Sequence, residues 1–311
     1  MLALLATGAA LLVAGSGQPG AVASLPHRAS GGTFKVSFVT NALDSVDPAL
    51  SYTEEGWALL DATCARLLNY PDSPAPEGLR LVPEVAAGYP RVSKVAKTYP
   101  FRLRTGFRFS DGAPIRASAF ARAINRILGP GITSGGAPYM QDIVGAGAVR
   151  AGRSEAATGV VADGNRLVVR FTRPVPDFPA QTTMPFFRAV PPTLPSDPEG
   201  IGAFPGSGPY YVSEYVRDRR AVLARNRFYR GARPHRVDRF VVDLQGGTPA
   251  DAARLQGDAR YRAYGQIDVQ LARDAVPMVA VANDSEATLV SKRAGCIVLR
   301  PALELTAACL R

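Results

Sequence analysis

Residues 99–112 read Tyr-Pro-Phe-Arg-Leu-Arg-Thr-Gly-Phe-Arg-Phe-Ser-Asp-Gly, and this stretch decides the fold. Aromatic and aliphatic residues alternate with arginines on both sides of Thr105-Gly106, which is the period-two pattern of a half-buried strand. The alternation predicts a hairpin in which residues 99–103 pair with residues 107–110. The turn would lie at Arg104-Thr105-Gly106, and the second strand would end at Asp111-Gly112.

A helix is predicted directly after this stretch. Residues 117–128 place Phe120, Ile124 and Ile127 at helical spacing, and Gly129-Pro130 ends the run. The apolar side of such a helix packs on a neighbouring sheet.

Another helix is predicted before it. Ser51 and Glu54 stand at capping-box spacing, and Leu60, Cys64 and Leu67 then follow on one face. The pattern predicts a helix that continues through residue 68, with Cys64 as a buried apolar residue on it.

The rest of the chain has the pattern of an α+β protein, in which strands pair both locally and at a distance. A hairpin is predicted around Asp163-Gly164, which is a strong two-residue turn signal. The other predicted strands are residues 33–40, 210–215, 221–223, 240–244, 278–281 and 288–290, and a further helix is predicted over residues 261–274.

Composition sets limits on the function. The chain has 311 residues, of which 47% are hydrophobic, so it is long enough for more than one core. The formal charge of +10 comes almost entirely from arginines that are spread along the chain. Without clustered charge, a recognition helix or zinc-finger spacing, the sequence indicates no nucleic-acid partner.

The N-terminus predicts export. Residues 2–13 form an apolar run that is too short to span a bilayer comfortably, and Ala21-Val22-Ala23 offers a cleavage pattern of small residues. We therefore expect a signal peptide over residues 1–23, a linker over residues 24–32, and an extracytoplasmic location in the periplasm or at the outer face of the cytoplasmic membrane. A buried core helix is the alternative interpretation of the apolar run. Ser16 stands where a lipoprotein would carry its modified cysteine.

The sequence indicates no catalytic residue, no metal site and no cofactor. His27 and His235 lack a partner at useful spacing, and no nucleotide-binding loop, dinucleotide fingerprint or nucleophile elbow is present. Cys64, Cys296 and Cys309 lack metal-ligand spacing, although Cys296 and Cys309 are able to pair outside the cytoplasm.

Several segments, taken in order, resemble extracytoplasmic solute-binding protein family 5, whose members deliver peptides, nickel complexes or other solutes to ABC importers. The segments are Asp47-Pro48-Ala49, residues 65–70 and 81–86, the stretch 99–112, and residues 174–178, 206–210 and 226–231. These motifs are mainly scaffold, so the function that follows from them is an inference from the fold.

The resemblance implies an α+β, mixed-sheet fold like that of periplasmic binding proteins, with one discontinuous lobe of a two-lobed clamshell. Residues 33–260 would form the N-terminal part of lobe I, and residues 261–311 the segment that returns to it. Relatives enter a second lobe of well over roughly 100 residues near the position of Asp258. That lobe is predicted to be largely absent here.

The function that the resemblance implies is the substrate-binding component of an ABC importer. Its partners would be a peptide or other small solute and the permease subunits, and the protein would be peripheral to the membrane. Ligand would lie between lobes that close by a hinge. A truncated, non-transporting remnant, or a lobe that binds a partner, is the alternative.

The predicted ligand-binding residues belong to the wall that this lobe would supply. They would hydrogen-bond an extended ligand, and Asp44 or Glu54 would attract its cationic end; solvated loop residues are the alternative interpretation. Because one wall encloses little of a ligand, low or absent affinity is expected. The residues are Asn41, Asp44, Tyr52, Thr53, Glu54, Tyr139, Ser207 and Gly208.

Overall fold

The computed structural model describes residues 31–39, 41–71, 73–246, 294–295 and 309–310. The predicted signal peptide, the helix at 261–274, the strands at 278–281 and 288–290, and Cys296 lie outside the described residues. They stay predictions, as does the division of the lobe at residue 260. No helix in these described ranges has both the length and the apolar character that crossing a bilayer requires.

The strands are short and fall along the whole described chain. In order they are β1 (Thr33–Val39), β2 (Leu68–Asn69), β3 (Val82–Pro83), β4 (Thr98–Arg102), β5 (Val160–Asp163), β6 (Arg166–Arg170), β7 (Tyr210–Val216), β8 (Arg220–Arg225), β9 (Arg239–Gly246), β10 (Ala294–Gly295) and β11 (Cys309–Leu310).

The helices lie between the strands. The α-helices are α1 (Glu54–Thr63), α2 (Ala117–Leu128), α3 (Ala146–Arg150) and α4 (Phe178–Gln181), and the 3-10 helices are Glu77–Leu79, Ala137–Tyr139 and Pro185–Phe187.

Two main sheets carry the fold, and together with the helices they confirm the α+β, mixed-sheet class. One sheet has the order β1-β9-β8-β7, in which β1 and β9 run parallel and the other pairs are antiparallel. The other is antiparallel, with the order β4-β6-β5. Because β1 and β9 are distant in sequence, the first sheet closes only when the chain returns after residue 238.

Each sheet has its own core. In the first, Phe34 and Phe240 stand opposite each other across β1 and β9, with ring centroids 5.6 Å apart. In the second, Tyr99 and Phe101 of β4 pack with Phe178, at centroid distances of 5.0 and 6.3 Å. Burying rings of this size is the main favourable contribution to each core.

Helix α1 and the segment that follows it join the two cores. Leu59 and Ala62 of α1 pack with the first core, and Ala65 and Leu67 pack with the second. The chain between them is therefore buried on both sides.

The predicted hairpin of residues 99–103 with 107–110 is wrong. Strand β4 pairs with β6, where Tyr99 stands opposite Val169 and Phe101 opposite Leu167. Residues 107–115 fold on themselves, since Phe109 N donates to Ala113 O at 2.8 Å. Local alternation shows that a segment is a half-buried strand, but not which distant strand supplies its partner.

The predicted first helix is also corrected at both ends. Thr53, not Ser51, caps α1, because its hydroxyl oxygen accepts a hydrogen bond from Gly56 N at 3.2 Å. The helix ends at Thr63 rather than at residue 68, because Cys64 is extended with φ −125° and ψ 138°. Leu67 is buried as expected, but from extended chain.

Two predictions are confirmed closely. Helix α2 spans Ala117–Leu128 and buries Phe120, Ile124 and Ile127. The hairpin of β5 and β6 turns at Gly164, whose φ of +52° suits a residue without a side chain.

Candidate ligand-binding site

The loop before α1 is fixed by the carboxylate of Asp44. Asp44 Oδ1 accepts hydrogen bonds from Ser45 N at 2.7 Å, Thr53 Oγ1 at 2.9 Å and Ser51 Oγ at 3.2 Å. Asp44 Oδ2 accepts one from Tyr52 N at 2.5 Å. The predicted residues Asp44, Tyr52 and Thr53 therefore lie together. Both carboxylate oxygens of Asp44 accept hydrogen bonds from this loop, and these bonds hold Tyr52 and Thr53 in place.

Four aromatic side chains, which we call the aromatic wall, gather beside this loop: Tyr52, Trp57, Tyr139 and Phe186. The rings of Tyr52 and Tyr139 each stack on Phe186, with centroids 6.1 and 6.3 Å away and planes 23° and 20° apart. Trp57 meets Tyr52 and Phe186 edge-on, at 5.9 and 6.0 Å. Phe186 is fully buried while 58% of Tyr52 is exposed, so the wall presents a supported ring to solvent.

Backbone contacts hold the wall in place. Trp57 Nε1 donates to Ser51 O at 3.1 Å. Gly135 and Gly136, just before the 3-10 helix that carries Tyr139, allow close approach of the rings, because a Cβ would lie 2.3 Å from Tyr52 at Gly135 and 2.5 Å from Phe186 at Gly136.

The other predicted residues lie in different surroundings. Glu54 is exposed in the first turn of α1, and Asn41 is exposed with a left-handed φ of 66°. Ser207 is fully buried; its hydroxyl accepts from Ala65 N at 2.8 Å and donates to Ala189 O at 2.7 Å. Gly208 packs so tightly that a Cβ would lie 2.6 Å from Ala62 O. Ser207 and Gly208 thus support the end of α1, and their role in ligand contact stays a prediction.

Sequence reasoning missed Trp57 and Phe186. Trp57 is the single tryptophan of the chain and follows Tyr52 by five positions, which is a usable signal. Phe186 lies in the apolar run at Pro185-Phe186-Phe187, which is typical of a core segment and gives no sign of a neighbouring exposed ring.

A buried group of charged residues, which we call the arginine cluster, adjoins the wall: Asp61, Arg66, Glu84, Arg188 and Arg233. Trp57 and Asp61 lie one turn apart on α1, so the wall and the cluster share one side of that helix. Asp61 Oδ1 accepts from Arg188 and lies 3.0 Å from Arg66 Nη2. Arg233 Nε donates to Glu84 Oε1 at 2.9 Å.

Positive charge exceeds negative charge in the arginine cluster. Three guanidiniums meet two carboxylates, and Arg66 and Arg188 are both almost fully buried. Arg66 Nε and the Nε and Nη1 atoms of Arg188 find no hydrogen-bond acceptor in the described part of the chain. Buried donors without acceptors are costly, so this cluster is not optimised for stability.

The charges shift several pKa values. Burial alone would raise the pKa of Asp61, but the charges of Arg188 and Arg66 outweigh it and lower that pKa. Burial, reinforced by Arg66, lowers the pKa of Arg188 to about 10. Burial raises the pKa of the Cys64 thiol, which keeps it protonated and a poor nucleophile.

The described residues contain no group of three or more histidine, cysteine, aspartate or glutamate side chains arranged to hold a metal ion.

A family model connects this geometry with known proteins. The model described as "Bacterial extracellular solute-binding proteins, family 5 Middle" matches residues 80–291. The chain belongs to this family. The resemblance drawn from the sequence motifs is confirmed, and the match includes the segment that carries Tyr139, Phe186 and Arg188.

Solved structures of an oligopeptide-binding and a murein tripeptide-binding protein share the fold. Clavulanic acid biosynthesis oligopeptide binding protein 2 is 29% identical with a TM-score of 0.63, and the match covers 77% of this chain and 47% of that one. The murein tripeptide binding protein MppA of Escherichia coli is 20% identical with a TM-score of 0.59, covering 79% of this chain and 48% of that one. The latter likeness shows the fold alone.

A curated relative is the probable deoxycholate-binding periplasmic protein YgiS of Escherichia coli strain K12. It is 30% identical over 184 residues, which are 56% of this chain and 32% of the relative. The chain thus spans under half the length of each of these two solved structures and about a third of the length of this relative, as expected for a partial lobe. The relatives are binding proteins rather than enzymes.

Proposed function

We propose that this chain forms one wall of the solute site of an extracytoplasmic binding protein that delivers its ligand to the permease of an ABC importer. Membership of family 5 supports the class. The relatives are named for oligopeptides, a murein tripeptide and deoxycholate, and YgiS is periplasmic. These names, together with the apolar N-terminal run, support a site outside the cytoplasmic membrane.

The exposed ring of Tyr52, stacked on the buried Phe186, is the observation that carries the proposal. A rigid exposed aromatic side chain gives contact area at little cost in conformational entropy, and such rings are enriched at binding surfaces. Tyr139 extends the same surface on the other side of Phe186. An extended peptide or another solute with apolar groups fits against this surface.

Glu54 is the residue to which we assign polar recognition of the ligand. Four hydrogen bonds from its own loop already engage the carboxylate of Asp44. Glu54 is exposed at the start of α1, one residue after the cap and two residues after Tyr52. We therefore assign the cationic end of the ligand to Glu54, and the positioning of Tyr52 and Thr53 to Asp44.

The expected affinity is low. Enclosed sites bury most of a small ligand, whereas a single wall leaves much of it in water. We expect peptides to bind the 311-residue chain more weakly than about 1 µM, which corresponds to about −8 kcal/mol. Nanomolar binding in calorimetry would contradict the one-wall arrangement.

Trp57 supplies the test, because the only tryptophan of the chain lies in the aromatic wall. Titration with tripeptides to pentapeptides should change its fluorescence, and the dissociation constant is read from the titration curve. Tyr52→Ala should weaken binding by roughly twofold to tenfold, since an aromatic pair is worth about 0.5–1.5 kcal/mol beyond its buried area.

Tyr89→Ala is the matched control. Tyr89 is 60% exposed, almost the same as Tyr52, but it lies outside the wall. Its substitution should leave the dissociation constant unchanged. Equal losses in the two variants, or a wild-type chain that responds to no peptide, would count against the proposal.

A further inference from the structure

A cavity of about 400 Å³ opens beside Tyr139, on the segment that leads into α4. Tyr139, Val175 and three prolines form its apolar lining, and its polar groups come from Asp142, Arg173, Asp177 and Gln181. A space of this size lies within the range of small-molecule sites. Since Tyr139 also stacks on Phe186, this residue belongs both to the cavity lining and to the aromatic wall.

The cavity carries a net negative charge in a chain whose formal charge is +10. Arg173 Nε lies 2.6 Å from Asp142 Oδ2, so these two charges compensate each other. Asp177 is partnered instead by the neutral Gln181, whose Nε2 donates to Asp177 Oδ2 at 2.9 Å. The charge of Asp177 is the one that the lining leaves uncompensated.

Gln181 adds an acceptor that has no donor. Because a carboxylate only accepts hydrogen bonds, the contact with Asp177 fixes the amide with its NH2 group toward Asp177. The other atom, Gln181 Oε1, is buried and receives no hydrogen bond from the described residues. A buried acceptor of this kind is satisfied by a ligand that brings N–H groups.

We propose that this cavity binds a cationic group of a ligand, an alkylammonium or guanidinium group such as the end of a lysine or arginine side chain. Asp177 is its counter-ion, Gln181 Oε1 accepts one of its N–H groups, and the ring of Tyr139 gives a cation–π surface. The prolines and Val175 contact the methylene stem. Only the identity of the larger ligand rests on the proposed function, because the cavity itself stands without it.

Butylguanidinium and N-butylurea provide a matched pair of probes, since both join a butyl chain to a planar head group, while the urea is neutral and carries a carbonyl oxygen in place of one NH2 group. Saturation-transfer NMR on the full chain measures both affinities, with the side-chain amide of Gln181 as a reporter in a 15N spectrum. We expect butylguanidinium to bind at least tenfold more tightly than N-butylurea, and its binding to shift the Gln181 resonance. Equal affinities, or no binding of butylguanidinium, would overturn the proposal.

Two substitutions should act in opposite directions on butylguanidinium. Asp177→Asn should weaken binding at least fivefold, and it leaves α4 intact because the Asp177 side chain makes no capping hydrogen bond. Arg173→Ala should strengthen binding about twofold to fivefold, because it frees the carboxylate of Asp142. Asp163→Asn, at an exposed carboxylate that ends β5, is the control and should change nothing.

The outcomes also separate this cavity from the proposed function. Butylguanidinium binding without any peptide response at Trp57 keeps the cavity and removes the proposed function. A peptide response without butylguanidinium binding keeps the proposed function and overturns the proposal for the cavity. An affinity that Asp177→Asn leaves unchanged would exclude Asp177 as the counter-ion and overturn the proposal even if the probe binds.

Discussion

The ion pair of Asp47 with Arg126 and the arginine cluster around Asp61 are both buried, but they are built differently. Arg126 Nη1 and Nη2 donate to the two oxygens of Asp47 at 2.9 and 2.7 Å, one bond to each. In the cluster, a single oxygen of Asp61 receives Arg188 and lies near Arg66 as well, while donors of both arginines stay without acceptors.

The surroundings widen the difference. Asp47 also accepts from Ala49 N and Ile201 N, both at 2.9 Å, and Arg126 Nε donates to Pro195 O at 2.7 Å. This ion pair thus joins three segments that are distant in sequence, namely residues 47–49, Arg126 and residues 195–201. The arginine cluster instead adjoins the aromatic wall and carries surplus charge. We infer from this comparison that breaking the fully matched pair of Asp47 and Arg126 costs more stability than removing one charge of the unevenly matched arginine cluster.

The largest effect is expected at the satisfied pair. Arg126→Met leaves the carboxylate of Asp47 buried without a cation, and it should lower the free energy of unfolding by about 3–5 kcal/mol. Urea unfolding followed by circular dichroism measures the change. Arg173→Met is the control, since Arg173 makes an ion pair while 63% of its side chain is exposed, and the change there should stay below about 1 kcal/mol. Similar losses in both variants would show that the buried ion pair of Arg126 contributes no more to stability than the exposed ion pair of Arg173.

An intermediate effect is expected when the cluster loses its shared carboxylate. Asp61→Asn should lower the free energy of unfolding at pH 7 by about 2–3 kcal/mol, because Arg66 and Arg188 then repel each other with no anion between them. The loss is smaller than at Arg126 because 21% of the Asp61 side chain is exposed, so water replaces part of the contact.

The pH dependence gives a second check on Asp61. Its pKa in the folded state is lowered below the ordinary 3.8, so the carboxylate contributes stability above that pH and loses it as the pH falls further. The difference in unfolding free energy between wild type and Asp61→Asn should be constant from pH 5 to pH 7 and shrink below about pH 4. A difference that grows toward acid pH would show that the pKa of Asp61 is raised instead.

The sequence predicts elements whose signals are local. Helix α2 follows from the spacing of its apolar residues and from Gly129, and the β5–β6 hairpin follows from Asp163-Gly164. Helix α1 was predicted to run through residue 68 because its apolar spacing continues. It ends earlier because Gly208 N donates to Thr63 O and Ser207 Oγ accepts from Ala65 N, and both partners lie more than 140 positions away.

The candidate site likewise contains residues that the sequence predicts and residues whose position depends on distant parts of the chain. Tyr52 and Tyr139 were predicted as ligand contacts, and the structure brings both to Phe186. Phe186 and Arg188 were missed because their run looks like core, although a lone arginine in such a run is a signal for a buried acidic partner. That Asp61 is this partner depends on how α1 packs against the segment at 186–188, which residue spacing does not contain.

The smallest effect is expected from removing the surplus cation. Arg188→Met should change the free energy of unfolding by less than about 1 kcal/mol in either direction. Arg66 still pairs with Asp61 in this variant, and the methionine fills the buried space. Burial lowers the pKa of Arg188 to about 10, below that of an exposed guanidinium, so the unfolded chain holds the proton more tightly. Its charge therefore costs stability below pH 10, and this cost recedes as the pH rises above 10.

Urea unfolding at pH 7 measures the effect of Arg188→Met, both in the wild-type chain and in a double-mutant cycle with Asp61→Asn. In the background of Asp61→Asn, Arg188→Met should recover part of the lost stability, since it removes a buried cation that has lost its anion. Arg66→Met serves as the control and should cost more than Arg188→Met, because Arg66 also donates to Asn69. A loss at Arg188 as large as that at Arg126 would mean that its unmatched donors have acceptors after all, and that the two buried groups stabilise the fold in the same way.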